Sequence, residues 1–211
     1  MAKLTKENIQ FIDSYLKKKG VKYLDVRVEL IDHLSTAFEE NSNYGLLIDF
    51  LNTKEVFISE FQKKRHTKIH WSYQKLLWLE FFKGFYTAKG LLQTGAVFLI
   101  LFMGLQYYEI KTVAGACLVT TGSINLAAMF THFKQRKAIN KIQSSVLVFA
   151  ILALPVLPLY FYSQINSFIE SHLVIFIAFW MLVLSLNLAG ATLVYRLKNK
   201  IIKHYNTLML A

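Results

Sequence analysis

The segment His172–Tyr195, HLVIFIAFWMLVLSLNLAGATLVY, contains no Asp, Glu, Lys or Arg. A helix rises about 1.5 Å per residue, so a stretch of this length exceeds the roughly 30 Å hydrocarbon core of a bilayer. Backbone N–H and C=O groups find no water in lipid, so a spanning segment of this kind is expected to be helical. Ser185, Ala189 and Gly190 allow another helix to approach closely. Directly after the segment come Arg196, Lys198, Lys200 and Lys203.

Working outward, three further segments share the pattern: Gly90–Tyr108, Thr112–Phe133 and Ser144–Tyr162. The turn between the first two is Glu109-Ile110-Lys111, short enough to force an antiparallel hairpin. The next loop, KQRKAINK, carries Lys134, Arg136, Lys137 and Lys141, whereas the loop SQINSFIES after the third segment carries no Lys or Arg. Basic residues therefore fall on alternate sides, which places both termini in the cytoplasm. Tyr107, Tyr108, Tyr160 and Tyr162 would then form the outer aromatic belt. Ala114, Gly115, Cys117, Gly122, Ser123 and Ala127 permit close packing of the second span. Pro155 and Pro158 are expected to kink the third span or loosen its outer half.

The bulk composition agrees. Of 211 residues 55% are hydrophobic, more than is usual for a soluble domain. The shift at Gly90, from charge alternating with hydrophobe to long uncharged runs, is the clear boundary. Net charge is +11, but residues 1–60 hold eight Lys/Arg against ten Asp/Glu, and residues 61–89 hold seven basic residues against Glu80 alone. Basic clusters beside spans follow from topology, so no nucleic acid is expected as a partner. The single Cys117 excludes an intramolecular disulfide and a Cys-rich zinc site. The start, MAKLTKENIQFIDSYLKKKG, lacks the continuous apolar core of a signal peptide.

Residues 1–65 read as a small cytoplasmic helical domain. Thr5 is the expected N-cap of a first helix, with Leu4 and Ile9 as a hydrophobic staple. Ile9, Ile12 and Leu16 recur at helical spacing, and Gly20 is its stop. A second helix spans about Tyr23–Glu40, with Val26, Leu30, Leu34, Ala37 and Phe38 as its apolar stripe and Ile31 beside it. Asn41-Ser42-Asn43 breaks it, and a third helix is expected over Tyr44–Phe61. Residues 66–89 form an amphipathic juxtamembrane helix, residues 90–195 the four spans, and residues 196–211 a basic cytoplasmic tail. The fold class is thus all-α: a small cytoplasmic helical domain followed by a four-helix transmembrane bundle.

In the second helix, RVELIDHLSTAFEE (Arg27–Glu40), Glu29 and His33 share a face, and Asp25 precedes Glu29 by four residues. Metal or acid–base chemistry would need further ligands. A di-iron bundle draws carboxylates from four helices, a zinc site takes three or four ligands, and His66 and His70 are the only other close histidine pair. Helix–helix salt bridges and a solvated face account for the motif, so no metal, cofactor or catalytic residue is assigned. Glu29, Asp32 and His33 are kept as a partner-contact face.

The pattern Arg27-x-Glu29-Leu30-x-Asp32-His33-Leu34, after a short helix and a glycine, resembles the helical prefix domain of bacterial membrane proteins. Such domains precede the spans of some ABC-type permeases and of small membrane proteins encoded beside PadR-type regulators. Together with HWSYQKLLWLEFFKGFY (His70–Tyr86), the chain is most similar to uncharacterised multi-pass proteins of Bacteroidetes, over about residues 4–90. The resemblance implies a bacterial inner (cytoplasmic) membrane location and a cytoplasmic protein-contact or regulatory module. It supplies no catalytic residues. The chain has no large extracytoplasmic domain and no second set of spans, which argues against a full permease.

In Trp71–Lys89, the residues Trp71, Lys75, Trp78, Phe82 and Phe85 fall close together on a helix, with Lys83 nearby. Aromatics with lysines suit the boundary between acyl chains and anionic head groups, so the bilayer itself is an expected partner. The alternative is a helix that packs on the prefix domain or continues the first span. Inside the spans only neutral polar groups occur, among them Gln93, Gln106, Thr120, Thr121, Asn125 and Asn187. Asn125 and Asn187, with Thr121, either hydrogen-bond between the second and fourth spans or line a small path. The leading expectation is a non-enzymatic regulatory or assembly subunit with a protein partner or a homo-oligomeric state. The alternatives are a small oligomeric transporter or channel subunit using that neutral path, and a membrane-bound lipid-modifying enzyme. The last would draw on His66, His70, His132 and His204, for which Glu80 is the sole nearby acid.

Overall fold

The computed structural model of the protein describes residues 4–40, 46–133 and 141–210. Among these the regular elements are helices: α1 (Lys6–Lys18), α2 (Leu24–Glu40), α3 (Leu47–Thr53), α4 (Glu55–Tyr86), α5 (Ala88–Tyr107), α6 (Ile110–Phe133), α7 (Gln143–Val146), α8 (Val148–Ser171) and α9 (Leu173–Leu210). The expected break at Asn41-Ser42-Asn43 and the loop residues Lys134, Arg136 and Lys137 lie outside the described residues, as do the side chains of His132 and His204.

The described residues form an all-helical structure, and three segments among them are long and apolar enough to cross a bilayer: Ala88–Tyr107, Ile110–Phe130 and Leu173–Leu208. Composition and length mark a membrane protein. Leu92, Ile100, Val119, Phe130 and Val174 stand 69–79% exposed on these helices. Each would cost about 25 cal/mol per Å² in water, and nothing in a bilayer. The fourth expected span corresponds to the first part of α9, which continues without a break through the expected tail to Leu210.

The segment expected as the third span is not one uninterrupted helix. It is split at Leu147, and α8 is interrupted again at Ile165, with φ −126° and ψ 18°. That interruption falls well beyond Pro158, not at the prolines, both of which lie inside α8. The expected loop Ser163–Ser171 is helical instead. Tyr162 Oη donates to Glu170 Oε1 at 2.6 Å, and Ile169 is buried beside it, so this turn is drawn onto the bundle. Tyr107, Tyr108 and Tyr160 are exposed, but Tyr162 is buried against Phe179 and Trp180, which removes it from the expected aromatic belt.

Three cores result. The first joins α1 and α2 to α3 and the start of α4 through Ile12, Leu16, Val26, Leu30, Leu34, Phe50, Leu51 and Ile58. Thr5 caps α1 by accepting from Asn8 N–H at 3.3 Å. Gly20 turns the chain at φ +82°, where a side chain would be strained. Ile9 is exposed and Leu4 packs on this core, so the stripe of α1 is carried by Ile12 and Leu16. The third helix differs from its expected range. Lys54 ends α3 early, and Glu55–Tyr86 forms one continuous helix that carries the expected boundary at residue 65 inside it.

The second core lies where α4 meets the bundle: Tyr73, Leu77 and Phe81 pack with Leu147, Val148, Ile151, Leu152, Leu186, Leu193 and Ile201. Gly190 makes this possible, since a Cβ there would stand 3.3 Å from Pro155 Cγ and 3.8 Å from Leu77 Cδ1. The third core fills the far end of the bundle around Trp180 and Phe176, with Leu101, Ala114 and Cys117.

Candidate functional site

The last turns of α4 touch three helices. Gln74 Nε2 donates to Ala150 O of α8 at 3.2 Å, Leu77 lies against Gly190 of α9, Glu80 binds Arg196 of α9, and Gly84 O accepts from Thr94 Oγ1 of α5 at 3.0 Å. α9 is met by two of these residues and α8 and α5 by one each, so α4 lies across three helices of the bundle. Tyr73, Leu77 and Phe81 face the bundle, while Trp71, Lys75, Trp78, Phe82 and Phe85 are exposed on the other side. Trp78 stacks on Phe82, with ring centroids 6.1 Å apart. Lys83 is partly buried and turns to Glu80 at 3.2 Å.

The corner into α5 is tight. Thr87 Oγ1 accepts from Gly90 N–H at 3.1 Å and donates to Lys83 O at 2.8 Å. A Cβ on Gly90 would fall 2.6 Å from Gly84 Cα, so the corner requires glycine there. Behind it lies a cavity of about 260 Å³ between α4, α5 and α9. Its polar lining comprises Glu80, Lys83, Lys89, Gln93, Thr94, Ser185, Thr192 and Arg196. Arg196 binds Glu80 with two hydrogen bonds, of 2.8 and 3.0 Å. Burial pushes the Glu80 carboxyl upward, but the hydrogen bonds and charges of Arg196 and Lys83 outweigh it and hold the group below the usual carboxylate range.

A second crevice, of about 440 Å³, opens between α5, α6 and α9 and is lined mainly by apolar groups. Val97 and Leu188 line both spaces, so the two are neighbours.

The membrane amides come together. Asn125 Nδ2 donates to Asn187 Oδ1 at 2.7 Å and to Thr121 O at 2.9 Å. Asn187 Nδ2 donates to Pro155 O at 3.0 Å and to Val183 O at 2.8 Å. Pro158 has no N–H for the carbonyl of Leu154 four residues earlier, and the Asn187 contact falls on the adjoining carbonyl, that of Pro155. Thr121 and Asn187 are fully buried, and the Thr121 hydroxyl is satisfied by Cys117 O at 2.8 Å.

Two acids of α2 meet one cation of α4. Asp25 is buried and acts as a joint: Oδ2 binds Arg65 Nη2 of α4 at 3.1 Å, and Oδ1 accepts the Gln143 N–H at 3.0 Å. Leu24 N–H donates to Lys141 O at 2.7 Å beside it. The N-terminal core is thus fastened to the linker before α7. Glu29 also pairs with Arg65, while Asp32 and His33 are exposed. His33 meets Phe61 edge-on at 5.5 Å, and Phe61 meets the exposed Phe57 at 5.9 Å. Among the described residues, no three of His, Cys, Asp and Glu gather where a metal could be held. Sequence reasoning missed Asp25, Arg65 and Arg196 as partners, because each meets a group dozens of residues away and no local spacing signals it. Comparison with family models, curated proteins and solved structures finds no match to this chain.

Proposed function

We propose that this chain is a non-enzymatic integral protein of the bacterial inner membrane, a regulatory or assembly subunit with a prefix-type helical module. In this reading α8 joins α5, α6 and α9 to form four spans, and both termini are cytoplasmic. The crossing segment of α4 lies along the cytoplasmic leaflet, with Trp71, Lys75, Trp78 and Phe82 toward the lipid.

The observation that carries the reading is the joint at Asp25. It ties the N-terminal core to the linker between two apolar helices, so whatever binds the module can bias the arrangement of the spans. Beside it Glu29, Asp32, His33 and Phe57 leave a mixed ionic and aromatic face open to a protein partner. The test is affinity purification of the full chain in mild detergent, read by mass spectrometry beside a Phe57→Glu variant. A stoichiometric partner retained by the parent and lost from the variant supports the reading. Purification of the parent without a stoichiometric partner, or with one that the variant retains unchanged, overturns it.

A further inference from the structure

We propose that the two adjacent spaces between α4, α5, α6 and α9 form one binding site for an anionic glycerophospholipid, with its phosphate at Lys89 and Arg196 and one acyl chain in the apolar crevice. The inference rests on the membrane-spanning reading above, with the α4 crossing at the cytoplasmic leaflet.

The chemistry changes along the groove as it does along a lipid. At the α4 end three cations, Lys83, Lys89 and Arg196, face a single acid, Glu80. Glu80 is already engaged by Arg196 and Lys83, and among the described residues Lys89 has no acidic partner. The cavity therefore keeps an excess of positive charge suited to a phosphate. Next come Gln93 and Ser185, donors at the depth of a glycerol and its ester groups, while the Thr94 hydroxyl is already given to Gly84 O at 3.0 Å. Past Val97 and Leu188 the lining turns to Ile100, Leu101 and Leu184. The hydroxyl of Thr120, which also lines this part, is spent on Ala116 O of its own helix at 2.8 Å. Length agrees as well: from Thr94 to Tyr107, α5 rises about 20 Å at about 1.5 Å per residue, which is close to an extended long acyl chain.

The experiment is native mass spectrometry of the full chain in mild detergent, titrated with dioleoyl phosphatidylglycerol, dioleoyl phosphatidylcholine or inorganic phosphate. One phosphatidylglycerol should be retained at a lower concentration than phosphatidylcholine. Lys89→Gln should weaken phosphatidylglycerol by about fivefold for one lysine beside an anionic head group, and phosphatidylcholine less, because its choline cation offsets the phosphate. Ala116→Phe, which fills the crevice from an exposed position, should weaken both dioleoyl lipids by about tenfold or more, because methylene burial is lost. It should leave dihexanoyl phosphatidylglycerol unaffected. Equal retention of the two head groups, displacement by inorganic phosphate, or an Ala116→Phe chain that binds as the parent does would each overturn the site. Release of the chain from membranes by alkaline carbonate would overturn the spanning reading itself. A chain that stays in the membrane yet shows no lipid preference refutes this site alone.

Discussion

Replacing Asn187 tests whether the buried amides hold helices together or line a path. Asn187 makes two hydrogen bonds to other helices, accepting from Asn125 of α6 and donating to Pro155 O of α8. Asn125 makes one such bond, and its second donor contact, to Thr121 O, stays within α6. Interhelical hydrogen bonds in membranes average about 0.6 kcal/mol and reach about 1.7. Asn187→Leu should therefore cost about 1–3 kcal/mol. Asn125→Leu removes one bond but leaves Asn187 Oδ1 buried and unpaired, which adds about 1 kcal/mol or more. The double variant should cost less than the sum of the two, because the second substitution removes the stranded oxygen. The measurement is reversible unfolding in bicelles or mixed micelles, analysed as a double-mutant cycle. Single costs that add within about 0.3 kcal/mol would refute the shared bond. That result is the one expected if both amides face a hydrated path.

Other outcomes follow from the same geometry. Gly90→Ala should destabilise by at least about 1–3 kcal/mol, as overpacking does, because its Cβ would meet the Gly84 backbone; a thermal melt matching that of the parent would contradict the corner. Arg65→Gln leaves Asp25 buried with only the Gln143 N–H and should cost about 3 kcal/mol, the lower end for a broken buried pair, with proteolysis near Lys141 accelerated. Glu80, held below the usual carboxylate range, has a lower folded than unfolded pKa. Its stabilisation is complete above the unfolded value of about 4.3 and is lost as pH falls through the folded one. The stability gap between parent and Glu80→Gln should thus be full at pH 7 and close under acid, and a gap independent of pH would refute the ion pair. Reporter fusions after residues 89, 137, 166 and 211 should read inside, inside, outside, inside, and an outside signal at residue 211 would overturn four spans.

The apolar runs were legible in the sequence because lipid imposes a one-dimensional requirement: enough consecutive uncharged residues to cross, with basic residues at the ends. The cap at Thr5, the turn at Gly20 and the stripe Val26, Leu30 and Leu34 were legible too, since each depends on neighbours within a turn or two of helix. The exposed row from Trp71 to Phe85 could be drawn from spacing alone, although spacing could not say what lay behind it. What only the tertiary structure decided involves partners far apart in the chain. Asp25 and Glu29, four apart on one helix face, both meet Arg65 of a distant helix, and Asp25 also takes the Gln143 N–H. Segment Ser163–Ser171 looked like a loop by its polarity, but packing of Ile169 and the Tyr162–Glu170 bond made it helical. The groove behind the α4 corner has no local signature, because its walls come from four helices. Periodicity reports which side of a helix is apolar; only packing in three dimensions determines what that side meets.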